Sequence, residues 1–206
     1  IAIQTSFDWR HKLLTSFSSV SVSEFEGIVE SDDLFFPISE KGNRTLERKP
    51  KKRGEKAGKA VISNEKVAVI TTWDRSINKD FEVITTGWIS KKNLNKVYQG
   101  KFDKATVLCS DSHRSYGAFA KYNTIIHKKF NASKWQKTVD KIYHVQNVNN
   151  MDMRLSKFME PFNGVATKYL QNYLNWFLVL EKIKNKTNKM ATLAGIALAS
   201  NQTWMQ

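Results

Sequence analysis

Two apolar runs in this chain stop at carboxylates, and those carboxylates are the residues best placed to do chemistry. The first run, residues 25–36, carries Glu30, Asp32 and Asp33 among Ile28, Val29, Leu34, Phe35 and Phe36. The second, Ala105-Thr106-Val107-Leu108-Cys109, ends in Ser110-Asp111. An ionised carboxylate taken out of water costs several kcal/mol or more unless it is paired or binds a cation. Taken alone, the first cluster also fits a solvated strand edge. Two strands that bring Asp32 and Asp111 to one point would hold one or two magnesium or manganese ions. Such ions activate a water or a 3′-hydroxyl and stabilise the leaving oxygen in phosphoryl transfer.

A third ligand to such a pair usually comes from a later helix. Val148, Met151, Leu155, Met159 and Phe162 recur at helical spacing and predict a helix over 148–160, ending before Pro161. Asn150 lies 150 − 111 = 39 residues after Asp111, and its amide oxygen suits a hard cation. At about 100° per residue, Asn150 and Lys157 share one face, with Arg154 near it. Asp152, about 200° from Asn150 and beside the apolar stripe, ranks behind it on the same geometry. The stripe itself is expected to face away from Asn150, against a long helix over 166–183.

The elements that must position these residues are legible in order. A short helix is expected over 1–14, a Ser-rich linker over Thr15–Ser23, and a first strand over 24–36 that stops before Pro37. Residues 67–73 and 81–89 predict two further strands joined by a turn at 74–80, which makes an antiparallel meander. A helix over 90–99, a strand over 105–109, a helix over 115–121 and a strand over 124–127 follow. Once strands alternate with helices, the later strands should be parallel. The order β-β-β-α-β-α-β, followed by helices, is an α/β fold that fits a ribonuclease-H-like mixed five-stranded sheet flanked by helices. Residues 130–146 read as a polar, basic loop.

The formal charge is +14, from 33 Lys and Arg against 19 Asp and Glu, with a pI near 9.8. That balance favours a polyanion, nucleic acid before an anionic membrane surface. Between residues 41 and 59 nine basic residues stand against two acids, 9 − 2 = +7. Gly42, Gly54, Gly58 and Pro50 make this a loop, read as a phosphate-contacting arm that includes Arg48, Lys49, Lys51, Lys52 and Arg53. Cys109 is the only cysteine, which excludes an internal disulfide and a cysteine-based zinc module. It reads as a core residue. With no apolar run of spanning length and no secretory signal, a soluble cytoplasmic protein, associated with the nucleoid, is expected.

The motifs, in their order and spacing, resemble the catalytic domain of bacterial insertion-sequence transposases of the DDE superfamily, in the branch with an Asp-Asp-Asn/Glu-Lys tetrad. Val29-Glu30-Ser31-Asp32-Asp33 matches the family's Val-Glu-x-Asp-Glu strand, with Asp33 in place of its Glu. Ser110-Asp111-Ser112-His113-Arg114-Ser115-Tyr116 matches its (Thr/Ser)-Asp-x-x-x-x-Tyr turn, and His144 to Asn150 with Lys157 its His-x-x-Asn-x-x-(Asn/Glu) helix. Phe7 to Lys12 resembles the end of the DNA-binding region that precedes the domain, and Tyr169 to Leu174 its closing helix.

The resemblance implies a magnesium- or manganese-dependent enzyme acting on double-stranded DNA. It would cleave transposon ends and join the freed 3′-hydroxyl to target DNA, as a homodimer on paired ends. Asp32, Asp111 and Asn150 would hold metal, Lys157 would contact DNA near the scissile phosphate, and Arg154 would lie beside it. Residues 1–22 would close a DNA-binding region and linker, 23–183 would form the catalytic domain, and 184–206 a tail. Two other readings share these residues: a transposase-derived DNA-binding protein whose metal site has decayed, and a structure-specific nuclease of the same fold.

Overall fold

The computed structural model describes residues 1–20, 22–46, 65–103, 105–131 and 138–200. Its centre is a five-stranded sheet in the order β3-β2-β1-β4-β5, with β1 Ile28–Pro37, β2 Lys66–Asp74, β3 Lys79–Thr86, β4 Val107–Asp111 and β5 Ile126–Phe130. β1, β2 and β3 form the antiparallel meander, and β4 and β5 continue the sheet in parallel from β1. This is the mixed, ribonuclease-H-like arrangement that the order of elements predicts.

Side chains alternate across the sheet, as a strand period of two requires. On β2, Val67 and Val69 enter one apolar layer, whereas Ala68 and Ile70 enter the other. The second layer is closed by α2 (Lys91–Tyr98) and α3 (Arg114–Asn123), through Leu94, Val97, Tyr98, Tyr116 and Phe119. Ser90 starts α2 with a reciprocal cap: its Oγ accepts from Asn93 N and its own N–H donates to Asn93 Oδ1.

The first layer is closed by α1 (Ile3–Ser16), α4 (Gln146–Met159), α5 (Leu170–Ile183) and α6 (Lys189–Ala199). Gln171 on α5 treats the outer strand β3 as a sheet neighbour would. Its Oε1 accepts from Val83 N at 2.8 Å and its Nε2 donates to Phe81 O at 2.7 Å. That satisfies backbone groups an edge strand leaves open.

The structure differs from the sequence-based expectation over residues 15–20. In place of a linker, α1 runs through Ser16 and a 3₁₀ turn covers Phe17–Val20. The serine and threonine hydroxyls that suggest a linker bond locally, Thr15 Oγ1 to His11 O and Ser16 Oγ to Leu13 O. Leu14 and Phe17 are buried in the core beside α5, so burial overrides the loop-like composition. Beyond Lys184, α6 places Leu193, Ile196 and Ala197 on the same core.

Candidate active site

β1 presents its polar residues to both layers in turn. Glu30 and Asp32 lie on the α4 side and Ser31 and Asp33 on the side of α2 and α3, as their partners show. Ser31 Oγ bonds Tyr98 Oη at 2.6 Å, and Tyr98 Oη bonds Thr72 Oγ1 at 2.7 Å. Tyr116 Oη donates to Asp33 Oδ1 at 2.6 Å. A buried relay of hydroxyls therefore fixes the strand from below. Burial drives the Tyr98 and Tyr116 phenols far above their ordinary range, so both remain protonated donors.

On the other side, Glu30 is fully buried and anchors the start of α4. Its carboxylate accepts from Asn147 N (2.9 Å), Asn147 Nδ2 (2.7 Å) and Val148 N (3.3 Å), and from Arg75 Nε at 2.8 Å. A carboxylate at a helix N-terminus satisfies open N–H groups and meets the positive end of the dipole. Arg75 also donates to Ile142 O at 2.8 Å, which ties down the chain entering the helix.

With α4 anchored in this way, Asp32 meets partners from three elements. β1 and β4 pair Glu30 with Cys109, and two residues further along each strand stand Asp32 and Asp111. Neighbouring strands run about 4.8 Å apart. From α4, the Asn149 amide lies against Asp32 Oδ2 and Val145 O; turned so that its nitrogen faces these two acceptors, it donates to them at 3.1 Å and 3.2 Å. Thr71 Oγ1 lies 3.2 Å from Asp32 O and 3.2 Å from Asp152 Oδ2. Asp152 is only 9% exposed, and its Oδ1 is buried with no hydrogen-bond partner.

The electrostatics agree with crowding of desolvated acids. Burial raises Asp32 to about 6, the Asp33 backbone N–H opposes the rise, and the charges of Asp33 and Asp111 add to it. Asp152 rises to about 8, first through burial and then through the Asp32 charge, against the Thr71 hydroxyl. Asp33 also rises through burial, held back by the Tyr116 hydroxyl. Asp111 is exposed and accepts from His113 N at 2.9 Å.

The sequence-predicted residues divide accordingly. Asp32 and Asp111 are brought together. Asn150 is exposed on α4, and the α4 residues that touch or couple to Asp32 are Asn149 and Asp152. The reason is the stripe: Met151 and Leu155 pack onto the sheet beneath them, so the face beside the stripe, rather than the one opposite, meets β1. Lys157 is exposed on the outer face with Asn150. Arg154 is bonded to Glu181 on α5, which also pairs with Lys79 at 3.7 Å. Arg48, Lys49, Lys51, Lys52 and Arg53 lie outside the described residues, as do Lys134 and Lys137 of the 130–146 segment. Cys109 is a buried core residue whose thiol burial pushes up to about 11.

The donor set suits magnesium or manganese. Among the described residues, no three His, Cys, Asp or Glu side chains form a ready-made metal centre. Magnesium asks for less, since one or two carboxylates suffice when waters and substrate phosphates complete its shell. Mutually repelling carboxylates and an unpartnered buried oxygen are what a hard cation neutralises.

The family model of the ISXO2-like transposase domain matches residues 24–178, which spans the whole sheet, α4 and most of α5. No curated protein and no solved structure matches the chain. No described helix is long and apolar enough to cross a membrane.

Proposed function

Since the chain belongs to the ISXO2-like transposase domain family, we propose that it cleaves insertion-sequence ends and transfers the 3′-hydroxyl to target DNA at the Asp32–Asp111–Asp152 cluster. The observation that carries this reading is the meeting of Asp32 with Asp111 from the next strand and with Asp152 from α4. In it Asp152 takes the third position, where the sequence alone points to Asn150. Magnesium or manganese held by one or two of these carboxylates, with waters and substrate phosphates completing its shell, would polarise the scissile phosphate and lower the pKa of the attacking hydroxyl.

The chain's own residues supply placement. Glu30 and Arg75 fix the start of α4, and through it Asn149 and Asp152 against Asp32. Tyr116 holds Asp33, and His113 N holds Asp111. Lys157, exposed two turns beyond Asn150, supplies a cation to the DNA backbone. Arg154 serves the helix pair through Glu181, so it contributes to DNA binding less than Lys157. The excess positive charge, with the basic run 41–59 at its centre, draws the polyanion in.

A cleavage and strand-transfer assay with transposon-end duplex and magnesium or manganese tests the reading. Loss of both steps in Asp32→Asn and in Asp111→Asn supports it. Intact cleavage in either variant overturns it. Cleavage without joining in the parent chain identifies a nuclease, and DNA binding without cleavage a decayed descendant.

A further inference from the structure

A second cleft, remote from the carboxylates, combines positive charge with a cluster of tilted aromatic rings. It has a volume of about 510 Å³ and lies between α1, the loop after β1 and the turn joining α4 to α5. Arg10, Lys41 and Lys168 line it, and none of its lining residues among those described is acidic. The nearest acid along α1, Asp8, accepts from Gln4 Nε2 at 2.8 Å. The aromatic wall is Phe7, His11 and Tyr169, with His11 centred 4.3 Å from Phe7 and 4.0 Å from Tyr169. Cations already stand over this wall: Arg10 lies 5.8 Å from the centre of Phe7 and Lys168 4.9 Å from that of Tyr169.

Two further features separate this cleft from an ordinary surface groove. His11 is 9% exposed, and its Nδ1 is buried without a hydrogen-bond partner. Lys41, whose Nζ donates at long range to Gly164 O at 3.4 Å and Phe162 O at 3.5 Å, is also the first residue of the +7 run. The basic run therefore starts in the cleft. From Asp152 to Phe162 the chain advances ten residues, roughly 15 Å at helical rise, so the cleft is not part of the carboxylate site.

We propose that this cleft binds one nucleotide of a single DNA strand, its phosphates on Arg10, Lys41 and Lys168 and its base against the Phe7–His11–Tyr169 wall. Cations that follow a backbone beside rings that accept any base are the general means of holding single strands. The volume falls within the range of small-ligand sites. The proposal rests on the reading of the chain as one that handles DNA, and it is independent of the carboxylate chemistry.

The test uses the 206-residue chain carrying Asp32→Asn in EDTA, so that cleavage plays no part. Fluorescence anisotropy of labelled oligothymidylate is followed over a salt series, with a duplex of equal length, dTMP and inorganic phosphate as further arms. Arg10→Ala with Lys168→Ala, both exposed positions, should weaken oligothymidylate at least about tenfold and lower the salt slope by about 1.4. Tyr169→Leu should weaken the single strand about tenfold and leave the slope unchanged. Unchanged single-strand affinity overturns the proposal. So does equal loss for duplex and single strand, or loss confined to dTMP or inorganic phosphate. Failure of the Asp32 and Asp111 assay leaves these outcomes intact.

Discussion

One hydroxyl joins the strand and helix sides of the acidic cluster: Thr71 Oγ1 stands 3.2 Å from the Asp32 carbonyl oxygen and 3.2 Å from Asp152 Oδ2. Asp152 is thereby fixed against the sheet while Asn150 faces solvent. Asp152→Asn is expected to lower cleavage by about a hundredfold or more, the scale of losing one preorganised electrostatic group. Asn150→Ala should leave the rate within a few-fold. Single-turnover cleavage of an end duplex checks both, and the reverse order of the two losses would return the third position to Asn150.

The same burial makes stability depend on pH. A carboxyl whose folded pKa is raised contributes fully below its unfolded pKa, and that contribution is lost as pH rises through the folded value. For Asp152 the window runs from about 4 to about 8, and for Asp32 from about 4 to about 6. In EDTA the chain should therefore lose on the order of a few kcal/mol between about pH 4 and about pH 8 from these groups. Urea unfolding across that range measures it, and Asp152→Asn should flatten the upper part of the curve. An unaltered curve in the variant would show that Asp152 is not desolvated.

The sheet and its order were legible because strands with a period of two, broken by turns, leave a direct mark on sequence. That Asp32 and Asp111 stand on neighbouring strands was legible for a related reason, since both follow apolar strand-like runs and the order of elements sets those strands side by side. Which α4 residue faces Asp32 was not. Helical spacing correctly put Asn150, Arg154 and Lys157 away from the stripe, but spacing alone does not say which side of a helix holds the site. Here the stripe packs on the sheet itself, so the acid beside it, Asp152, is the one brought near Asp32. Asn149, three residues before Asp152, carried a signal in that spacing. The Thr15–Ser23 stretch misled through composition, because its hydroxyls bond within the helix and the 3₁₀ turn.

Tyr116 gives a test of the relay beneath the strand. Its hydroxyl donates to Asp33 at 2.6 Å, from a side chain that is fully buried. Tyr116→Phe leaves that oxygen without the donor and should cost about 1–3 kcal/mol in urea unfolding near neutral pH. The cost should shrink at acid pH, where Asp33 is protonated. A loss that does not vary with pH would mean that the phenol acts only by filling space.

The basic run between residues 41 and 59 should reveal itself in the salt dependence of duplex binding. Each cation withdrawn from a DNA phosphate lowers the salt slope of duplex affinity by about 0.9. Neutralising Lys51, Lys52 and Arg53 together should reduce the slope by about two to three. An unchanged slope would remove the run from the duplex interface.

Glu30 ties β1 to the start of α4. It is buried, paired with Arg75 and bonded to two backbone N–H groups at the start of α4. Removing one partner of a buried pair costs about 3–5 kcal/mol, because the other charge stays buried. Glu30→Ala should lose stability on that scale, and Arg75→Ala somewhat less, since the helix N-terminus and the Asn147 amide still face the carboxylate. A double-mutant cycle should show coupling of about 1–3 kcal/mol between the two. The same variants should slow cleavage even where they stay folded, since α4 holds Asn149 and Asp152 in place only as firmly as its first turn is anchored. Glu30→Gln separates the two effects: it keeps one acceptor for the helix N–H groups but removes the charge that Arg75 meets. Its stability loss should be smaller than that of Glu30→Ala, and its cleavage should fall less. Equal losses for Gln and Ala would show that charge, rather than the geometry of the helix anchor, is what Glu30 contributes.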